Sequence, residues 1–359
     1  MEFKSYNRDE LAHLIDSVFF NSLENIPISF HRAISQINNP YCSAEDVLLW
    51  CAYENEKLVG YVGALPDLLF NEEKIYWLSC FWISDRFRNK NVASQLFFLL
   101  IKQYKNKIYI SNFLFSLERT YQSLGIFQAT QYKYGTLYFI NFSFAEYLQA
   151  RLPKLRHLLF GFGFFEKVLN RLLKLRKLFL TKEKNEFIVS ENKLIDTETV
   201  EFLQRYSQSN KTVVVRDSAY FQWILRYPWI LEKSGNGQSE RYYFSSFAKQ
   251  FEYRFIKIYK NGLLHGIVLL KLRNNHLTLT HIYANEECYP SIISYLHRLN
   301  INENIKTFTT FEDKMQSKIN IGNFGYIFKR KCRKPYIFPS NADVNSASFQ
   351  EGDGDSVFT

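Results

Sequence analysis

The chain has 359 residues, enough for two or three ordinary domains, and its 47% hydrophobic content excludes a disordered scaffold. The five cysteines form no C-x-x-C pair and lie near no His cluster with zinc-ligand spacing, which predicts reduced thiols and no metal site. The N-terminal residues lack the apolar core of a secretory leader, and no charge-free apolar run of about 18 residues occurs. These features predict a cytoplasmic protein.

The formal net charge of +10 is concentrated in one segment. Residues 151–184 contain ten basic and two acidic residues, and no zinc-finger, helix-turn-helix or RNP-type pattern accompanies them. We therefore expect no nucleic-acid partner. Residues 151–194 are predicted to be a basic amphipathic helical linker. Its apolar face either covers the seam between two domains, which we favour, or lies in the headgroup region of an anionic bilayer, a peripheral membrane contact through residues 151–184.

Residues 1–150 are predicted to form a first mixed α/β domain. A capped helix comes first, and a β-meander, a helix, a strand, a second short helix and a closing strand follow it. After the first helix, the predicted elements cover residues 58–65, 75–83, 91–104, 107–111, 117–124 and 134–142.

The same order of elements recurs over residues 195–339, which indicates a domain duplication. The clearest correspondence is between Gly60 and Gly266, each on a strand that follows an Asn-containing turn. Residues 340–359 carry four acidic and no basic residues and are rich in Asn, Ser, Asp and Gly. We predict that this tail is disordered.

The run from Ile83 to Ser94 lies between an apolar strand and an amphipathic helix, which is typical of an anion site. Successive backbone N–H groups and the positive end of the helix can bind a diphosphate there. Arg86, Arg88 and Lys90 add long-range attraction.

Arg88-x-x-Asn91-x-Ala93 resembles the (Arg/Gln)-x-x-Gly-x-(Gly/Ala) pyrophosphate loop of the GNAT (GCN5-related N-acetyltransferase) family. The resemblance implies an α/β fold with a mixed sheet, two GNAT-like domains, and acetyl-CoA or another acyl-CoA as co-substrate. It also implies that the preceding strand offers backbone hydrogen bonds to the pantetheine arm. Asn91 replaces the usual Gly, and Asn tolerates positive φ better than other non-Gly residues. The implied cofactor-binding residues are Phe81, Trp82, Ile83, Arg86, Phe87, Arg88, Asn89, Lys90, Asn91, Val92, Ala93 and Ser94.

A second run, from Thr120 to Phe127, resembles the family's Tyr-x-x-x-Gly-Phe sequence. The resemblance implies that Tyr121 protonates the leaving thiolate of CoA, while Leu114 stands where the family commonly has Asn. A general base for the acceptor amine is not chosen by the sequence. The nearby carboxylates are Glu54, Glu56, Asp67 and Asp85.

The second domain, residues 195–339, is predicted to be a degenerate GNAT-like domain because residues 284–290 lack the basic and small residues of a phosphate loop. Trp223, Arg226 and Tyr227 suit stacking on a sugar or nucleotide of the acceptor. Core packing of an aromatic helix explains them equally well.

We expect the protein to transfer an acyl group, most simply acetyl, from CoA to a small-molecule amine. By analogy with tandem bacterial enzymes, the acceptor is a nucleotide-linked or lipid-linked amino sugar of surface-polysaccharide synthesis. The alternatives are a peptidoglycan-bridge-type transferase that uses aminoacyl-tRNA, and a non-catalytic membrane-associated adaptor.

Overall fold

The computed structural model describes residues 1–143, 159–179, 186–210, 214–232, 241–321 and 324–359. It divides into two compact units, each built from separate stretches of the chain. The first unit comprises Met1–Lys133, Leu194–Phe251 and Lys334–Thr359, and the second comprises Tyr134–Lys193 and Glu252–Arg333.

The first unit begins with the predicted capped helix. Asn7 accepts a hydrogen bond from the Glu10 backbone at 2.9 Å, and the Glu10 carboxylate accepts one from the Asn7 backbone at 2.9 Å. Its helices are α1 (Arg8–Asp16), α2 (Val18–Ser22), α3 (Phe30–Ile37), α4 (Val92–Tyr104) and α5 (Glu118–Gln122). Its first strands are β1 (Glu2–Asn7), β2 (Val47–Glu54), β3 (Lys57–Leu68), β4 (Lys74–Ile83) and β5 (Ile108–Ser111).

The sheet of the first unit is mixed. Antiparallel pairing joins β1 to β2, β2 to β3, and β3 to β4, and β4 pairs in parallel with β5. One apolar cluster packs α4 and Tyr121 against the first face of this sheet, and another packs α1 and α3 against the second face. The predicted meander, helix and strand are thereby confirmed in order.

The middle strands of the second unit repeat the pattern of the first. β11 (Leu263–Arg273) and β12 (His276–Ala284) are antiparallel, β12 and β13 (Thr307–Thr310) are parallel, and Gly266 faces Ala284 as Gly60 faces Ile83. Its elements are β6 (Gln131–Phe139), α6 (Leu159–Phe179), β7 (Ile188–Glu191), β10 (Phe251–Lys260), β11 (Leu263–Arg273), β12 (His276–Ala284), α9 (Tyr289–Asn302), β13 (Thr307–Thr310), α10 (Asp313–Ile321) and β14 (Phe328–Ile337).

The two closing strands are exchanged. The strand that the sequence predicts to close the first unit, β6, pairs with β13 in the second unit, with Phe139 opposite Thr307. The end of β14 pairs with β5 in the first unit, with Tyr336 opposite Ser111. Hydrophobic alternation specifies that each strand has a buried face but not which edge it joins.

The division into consecutive domains at residues 150 and 194 therefore differs from the structure. Two helices and two short strands that lie within the predicted second domain belong to the first unit. They are α7 (Thr197–Asn210), α8 (Ser218–Arg226), β8 (Leu231–Glu232) and β9 (Phe247–Ala248). The predicted linker is not separate, because α6 is part of the second unit; residues 151–158 and 180–185 lie outside the described residues.

The prediction of a disordered C-terminal tail is wrong. Phe349, Val357 and Phe358 are fully buried in the first unit. Phe358 stacks on Trp229 with ring centroids 4.4 Å apart, and Gly354 has φ +72° where a Cβ would lie 2.9 Å from the Trp77 ring. The segment is polar in overall composition, but it contains these three apolar side chains. Their burial offsets the conformational entropy that is lost when the segment is ordered.

A buried ion cluster holds the tail to the sheet. The Arg216 side chain is fully buried and donates to both carboxylate oxygens of Asp67 at 2.7 and 2.8 Å, and to Asp353 at 2.9 Å. The Trp77 indole also donates to Asp67 at 2.8 Å. Because every partner is charged or a strong donor, the cost of burying these charges is offset by directed hydrogen bonds.

We predict that Arg216→Met lowers the free energy of unfolding by about 3–5 kcal/mol, because it leaves two carboxylates buried without a counter-charge. Urea denaturation measures this, and limited proteolysis should show cleavage within residues 340–359. The control Asp343→Asn removes an exposed carboxylate from the same tail and should change stability by less than about 0.5 kcal/mol. Equal stability of Arg216→Met and wild type would show that the cluster does not hold the tail.

Candidate functional site

Strand β4 leaves its neighbour before it ends. The described pairing with β5 consists of Tyr76 with Ile108 and Trp77 with Tyr109, whereas β4 continues to Ile83. The β5-facing edge of β4 is therefore open to an extended ligand that pairs with its backbone N–H and C=O groups. Phe81, Trp82 and Ile83, which the resemblance places beside the pantetheine arm, form the last part of this strand and are half-buried.

A β-bulge lies at the start of this open part. Tyr61 pairs with Trp82 and Gly63 pairs with Ser79, so that one residue of β3 faces two of β4, and Cys80 adopts φ +52°. Gly63 fits because a Cβ there would lie 2.9 Å from the Ser79 carbonyl oxygen. The bulge turns the end of β4 away from its regular course.

The loop after β4 combines a 3₁₀ turn with a left-handed residue. Residues Asp85–Phe87 form a 3₁₀ turn, and Asn91 is left-handed, with φ 58° and ψ 12°, at the N-cap of α4. The expectation that Asn91 can adopt the positive φ of the usual Gly is confirmed. Val92 is fully buried and Phe87 packs on the same core, which fixes the loop in place.

The first turn of α4 is open to an anion. The Asn91 side chain caps none of its N–H groups, and the Gln95 N–H donates to the Asn91 carbonyl at 3.0 Å as the first bond along the helix. The N–H groups of Val92, Ala93 and Ser94 thus precede the helical hydrogen bonds. Together with the open edge of β4, they offer N–H donors to an anion and backbone partners to an extended ligand.

The basic side chains of the loop are exposed. The Arg88 guanidinium pairs with Asp85 at 2.6 Å, and the Lys90 ammonium lies 4.3 Å from the Phe87 ring centroid. Arg86 and Asn89 are also exposed. The loop before α4 therefore presents three cationic side chains, Arg86, Arg88 and Lys90, to solvent.

Tyr121 lies on α5 and is 4% exposed. Its ring contacts Phe97 and Phe113, with centroids 5.4 and 5.5 Å away, and Phe97 stacks in turn on Phe81 at 6.2 Å. Phe97, which the sequence did not single out, thus joins Tyr121 to the open part of β4. Burial raises the pKa of Tyr121 to about 12, so that its hydroxyl keeps its proton at neutral pH.

The three residues proposed for the acceptor lie in the first unit instead of the second. Trp223 is 4% exposed, and its indole donates to the Ser35 carbonyl at 2.6 Å. Arg226 is exposed, with its guanidinium carbon 5.4 Å from the Tyr227 ring centroid. The position of Trp223 favours the alternative of core packing.

The structure brings together a polar cluster that sequence spacing could not reveal. The Ser79 hydroxyl, on β4 beside the bulge, donates to Asp355 at 2.7 Å and accepts from Arg32 Nη2 at 2.8 Å. Arg32 also donates to the Tyr242 hydroxyl at 2.7 Å and lies over the Trp229 ring at 3.9 Å. Its members come from α3, β4, the C-terminal tail, and two further residues, Trp229 and Tyr242.

The carboxylates that the sequence left as possible bases have other surroundings. Asp67 belongs to the buried ion cluster, and Asp85 pairs with Arg88 in the loop. Glu54 and Glu56 lie at the turn between β2 and β3. Asp355 is partly buried and contacts the open part of β4 through Ser79.

The corresponding loop of the second unit carries the opposite charge. Glu286 and Glu287 precede α9, and the half-buried Lys260 ammonium lies 3.8 Å from Glu287. Carboxylates at a helix N-terminus repel a diphosphate. That residues 284–290 form no phosphate loop stays a prediction.

The family model described as the acetyltransferase (GNAT) family matches residues 11–126. No curated protein matches the chain. A conserved Enterococcus faecalis protein of unknown function, described as a probable N-acyltransferase, is 11% identical with a TM-score of 0.52, and the match covers 94% of this chain and 71% of that one. Saccharomyces cerevisiae N-myristoyltransferase with bound myristoyl-CoA is 13% identical with a TM-score of 0.50. That match covers 95% of this chain and 79% of the yeast chain.

At these identities the solved structures show a shared fold. The residues that the family model matches include the open end of β4, the loop with Asn91, and Tyr121. A GNAT fold implies an acyl-CoA co-substrate. Over residues 11–126, the chain is similar to the acetyltransferase (GNAT) family.

Proposed function

We propose that the protein transfers an acyl group, most simply acetyl, from acyl-CoA to a primary amine, with the CoA bound in the first unit. The observation that carries this proposal is the uncapped helix end behind Asn91, directly after an open strand edge. The helix end provides N–H donors for the diphosphate, and the strand edge provides backbone partners for the pantetheine amides.

In the proposed reaction the amine nitrogen attacks the thioester carbonyl carbon. A C–N bond forms, the C–S bond breaks, one proton leaves the nitrogen, and one proton joins the CoA sulfur. We assign Tyr121 as the donor of the proton that joins the CoA sulfur, because a hydroxyl with a raised pKa remains protonated and can donate.

We assign Asp355 as the base that accepts the proton leaving the amine nitrogen. Ser79 holds this carboxylate next to the bulge, at the place where β4 leaves β5. The buried ion pair of Asp353 with Arg216 and the stacking of Phe358 on Trp229 fix the tail on both sides of it. A carboxylate held this way loses little freedom when it accepts a proton from the amine.

An amino sugar, linked to a nucleotide or a lipid, is the acceptor that we propose. Support comes from an aromatic pair at the end of β4: Trp82 is half-buried, and Tyr243, 65% exposed, lies 5.8 Å from it between ring centroids. Exposed aromatic faces beside a polar cluster suit a sugar ring. We also propose a cytoplasmic location for the protein.

Native mass spectrometry of freshly purified protein tests the function. We expect retained CoA and, with acetyl-CoA, a mass gain of one acetyl group on an amino-sugar nucleotide. Binding of aminoacyl-tRNA without CoA would favour the peptidoglycan-bridge type of transferase instead. Binding of neither would favour a non-catalytic adaptor.

We predict that Asn91→Val weakens acetyl-CoA binding by at least about tenfold, because a β-branched residue is strained at φ 58° and the loop must change shape. Asn91→Gly, which keeps the left-handed backbone, should bind within about twofold of wild type. Isothermal calorimetry measures both. Equal binding by the two variants would remove the loop from the CoA site.

We predict that Tyr121→Phe lowers kcat by about 100-fold while acetyl-CoA affinity stays near normal, since the hydroxyl acts in the transition state. Because burial raises the pKa of Tyr121 to about 12, the wild-type rate should not fall on the alkaline side until pH approaches that value. The control Tyr104→Phe removes another buried hydroxyl, which donates to the Val47 carbonyl, and should keep the turnover of folded enzyme. A wild-type rate for Tyr121→Phe would refute its assigned role.

We predict that Asp355→Asn lowers kcat by about 100-fold at unchanged acetyl-CoA affinity. Asp343→Asn is the matched control: it removes an exposed carboxylate from the same tail and should keep the wild-type rate. A wild-type rate for Asp355→Asn would assign the base to another group.

A further inference from the structure

Helix α6 presents large apolar side chains to solvent. Phe164, Phe165, Val168, Leu172 and Leu175 are between 42% and 69% exposed. They lie in the part of the helix whose side chains the structure describes, residues 164–175. Five such residues on one short stretch form an apolar surface whose exposure to water is energetically unfavourable.

These five residues share one side of the helix. At about 100° per residue they fall within an arc of about 100° around the axis. Lys167, Arg171 and Lys174 are exposed and fall within the adjoining arc of about 60°, on one flank of the apolar residues. The exposed side of α6 is therefore apolar along its centre and basic along one border.

The opposite side of α6 holds the helix to the second unit. Leu169, Asn170 and Leu173 are half-buried. The Asn170 side chain accepts from the Phe142 N–H at 2.8 Å and donates to the Phe142 carbonyl at 3.0 Å. The sequence favoured packing of the apolar face against a domain seam. Of that predicted face, Leu169 and Leu173 are half-buried here, whereas Phe165 and Leu172 stay exposed.

We propose that the exposed side of α6 docks on an anionic lipid bilayer, with its axis parallel to the surface. Phenylalanine and leucine side chains enter the boundary between headgroups and acyl chains, and the three basic residues contact anionic headgroups. Charge complementarity selects this partner, because a second copy would bring the same basic border against itself. The proposal does not depend on the acyltransferase function.

Co-sedimentation of the full chain with vesicles tests this docking. We expect wild-type protein to sediment with vesicles of phosphatidylcholine and phosphatidylglycerol, and to stay in the supernatant with phosphatidylcholine alone. Raising the salt from about 0.1 M to about 1 M shortens the Debye length from about 10 Å to about 3 Å and should release much of the bound protein.

Two variants separate the apolar and basic contributions. Phe164→Ser with Leu172→Ser should weaken binding at both salt concentrations, because the inserted side chains are lost. Lys167→Glu with Arg171→Glu and Lys174→Glu should weaken it by at least about tenfold at low salt. Matched controls are Leu263→Ser with Phe328→Ser, and Lys102→Glu with Lys107→Glu and Lys318→Glu; these change exposed residues elsewhere and should bind as wild type.

Sedimentation velocity and CoA binding accompany each variant, so that misfolding is recognised. If folded wild-type protein stays in the supernatant with anionic vesicles at low salt, the proposal is wrong. It is also wrong if the control variants lose binding as strongly as the α6 variants. A dimer that the serine variants of α6 convert to monomer, without vesicle binding, would identify the surface as a self-interface instead.

Discussion

Arg216 is bound by two carboxylates that lie far from it along the chain, Asp67 at 149 positions and Asp353 at 137. The same Asp67 accepts from the Trp77 indole of β4, so one buried charge ties together β3, β4, the residues before α8 and the C-terminal tail. An unpaired charge could not remain there, because desolvation would cost several kcal/mol. The tail, and with it Asp355, takes its place on the sheet through this cluster.

The candidate site combines two departures from regular backbone. Cys80 and Asn91 both have positive φ, at 52° and 58°. The first belongs to the bulge that turns the end of β4, and the second lets the loop enter α4 with its first N–H groups uncapped. Such conformations are kept where surrounding packing fixes them, here by Gly63 beneath Ser79 and by the buried Val92.

The two units carry opposite charges at corresponding turns within a similar arrangement of strands. The turn before α4 carries Arg86, Arg88 and Lys90, whereas the turn before α9 carries Glu286 and Glu287. An anion site is therefore favoured in the first unit and opposed in the second. The basic side chains of α6 lie on an exposed helix, beside exposed phenylalanine and leucine. Such an amphipathic helix suits an extended lipid surface better than a small ligand.

The sequence determined the local features of the protein. The order of strands and helices, the Asn7 cap, the loop around Asn91 and Tyr121 depend on short spacing and on the conformational preferences of single residues, which can be seen in the chain itself. The tertiary structure decided which edges the strands β6 and β14 join, the order of the polar tail, the burial of Trp223, and the meeting of Ser79 with Asp355 across 276 positions. Those outcomes depend on which distant groups can pair once water is excluded, and periodicity along the chain carries no information about such pairs.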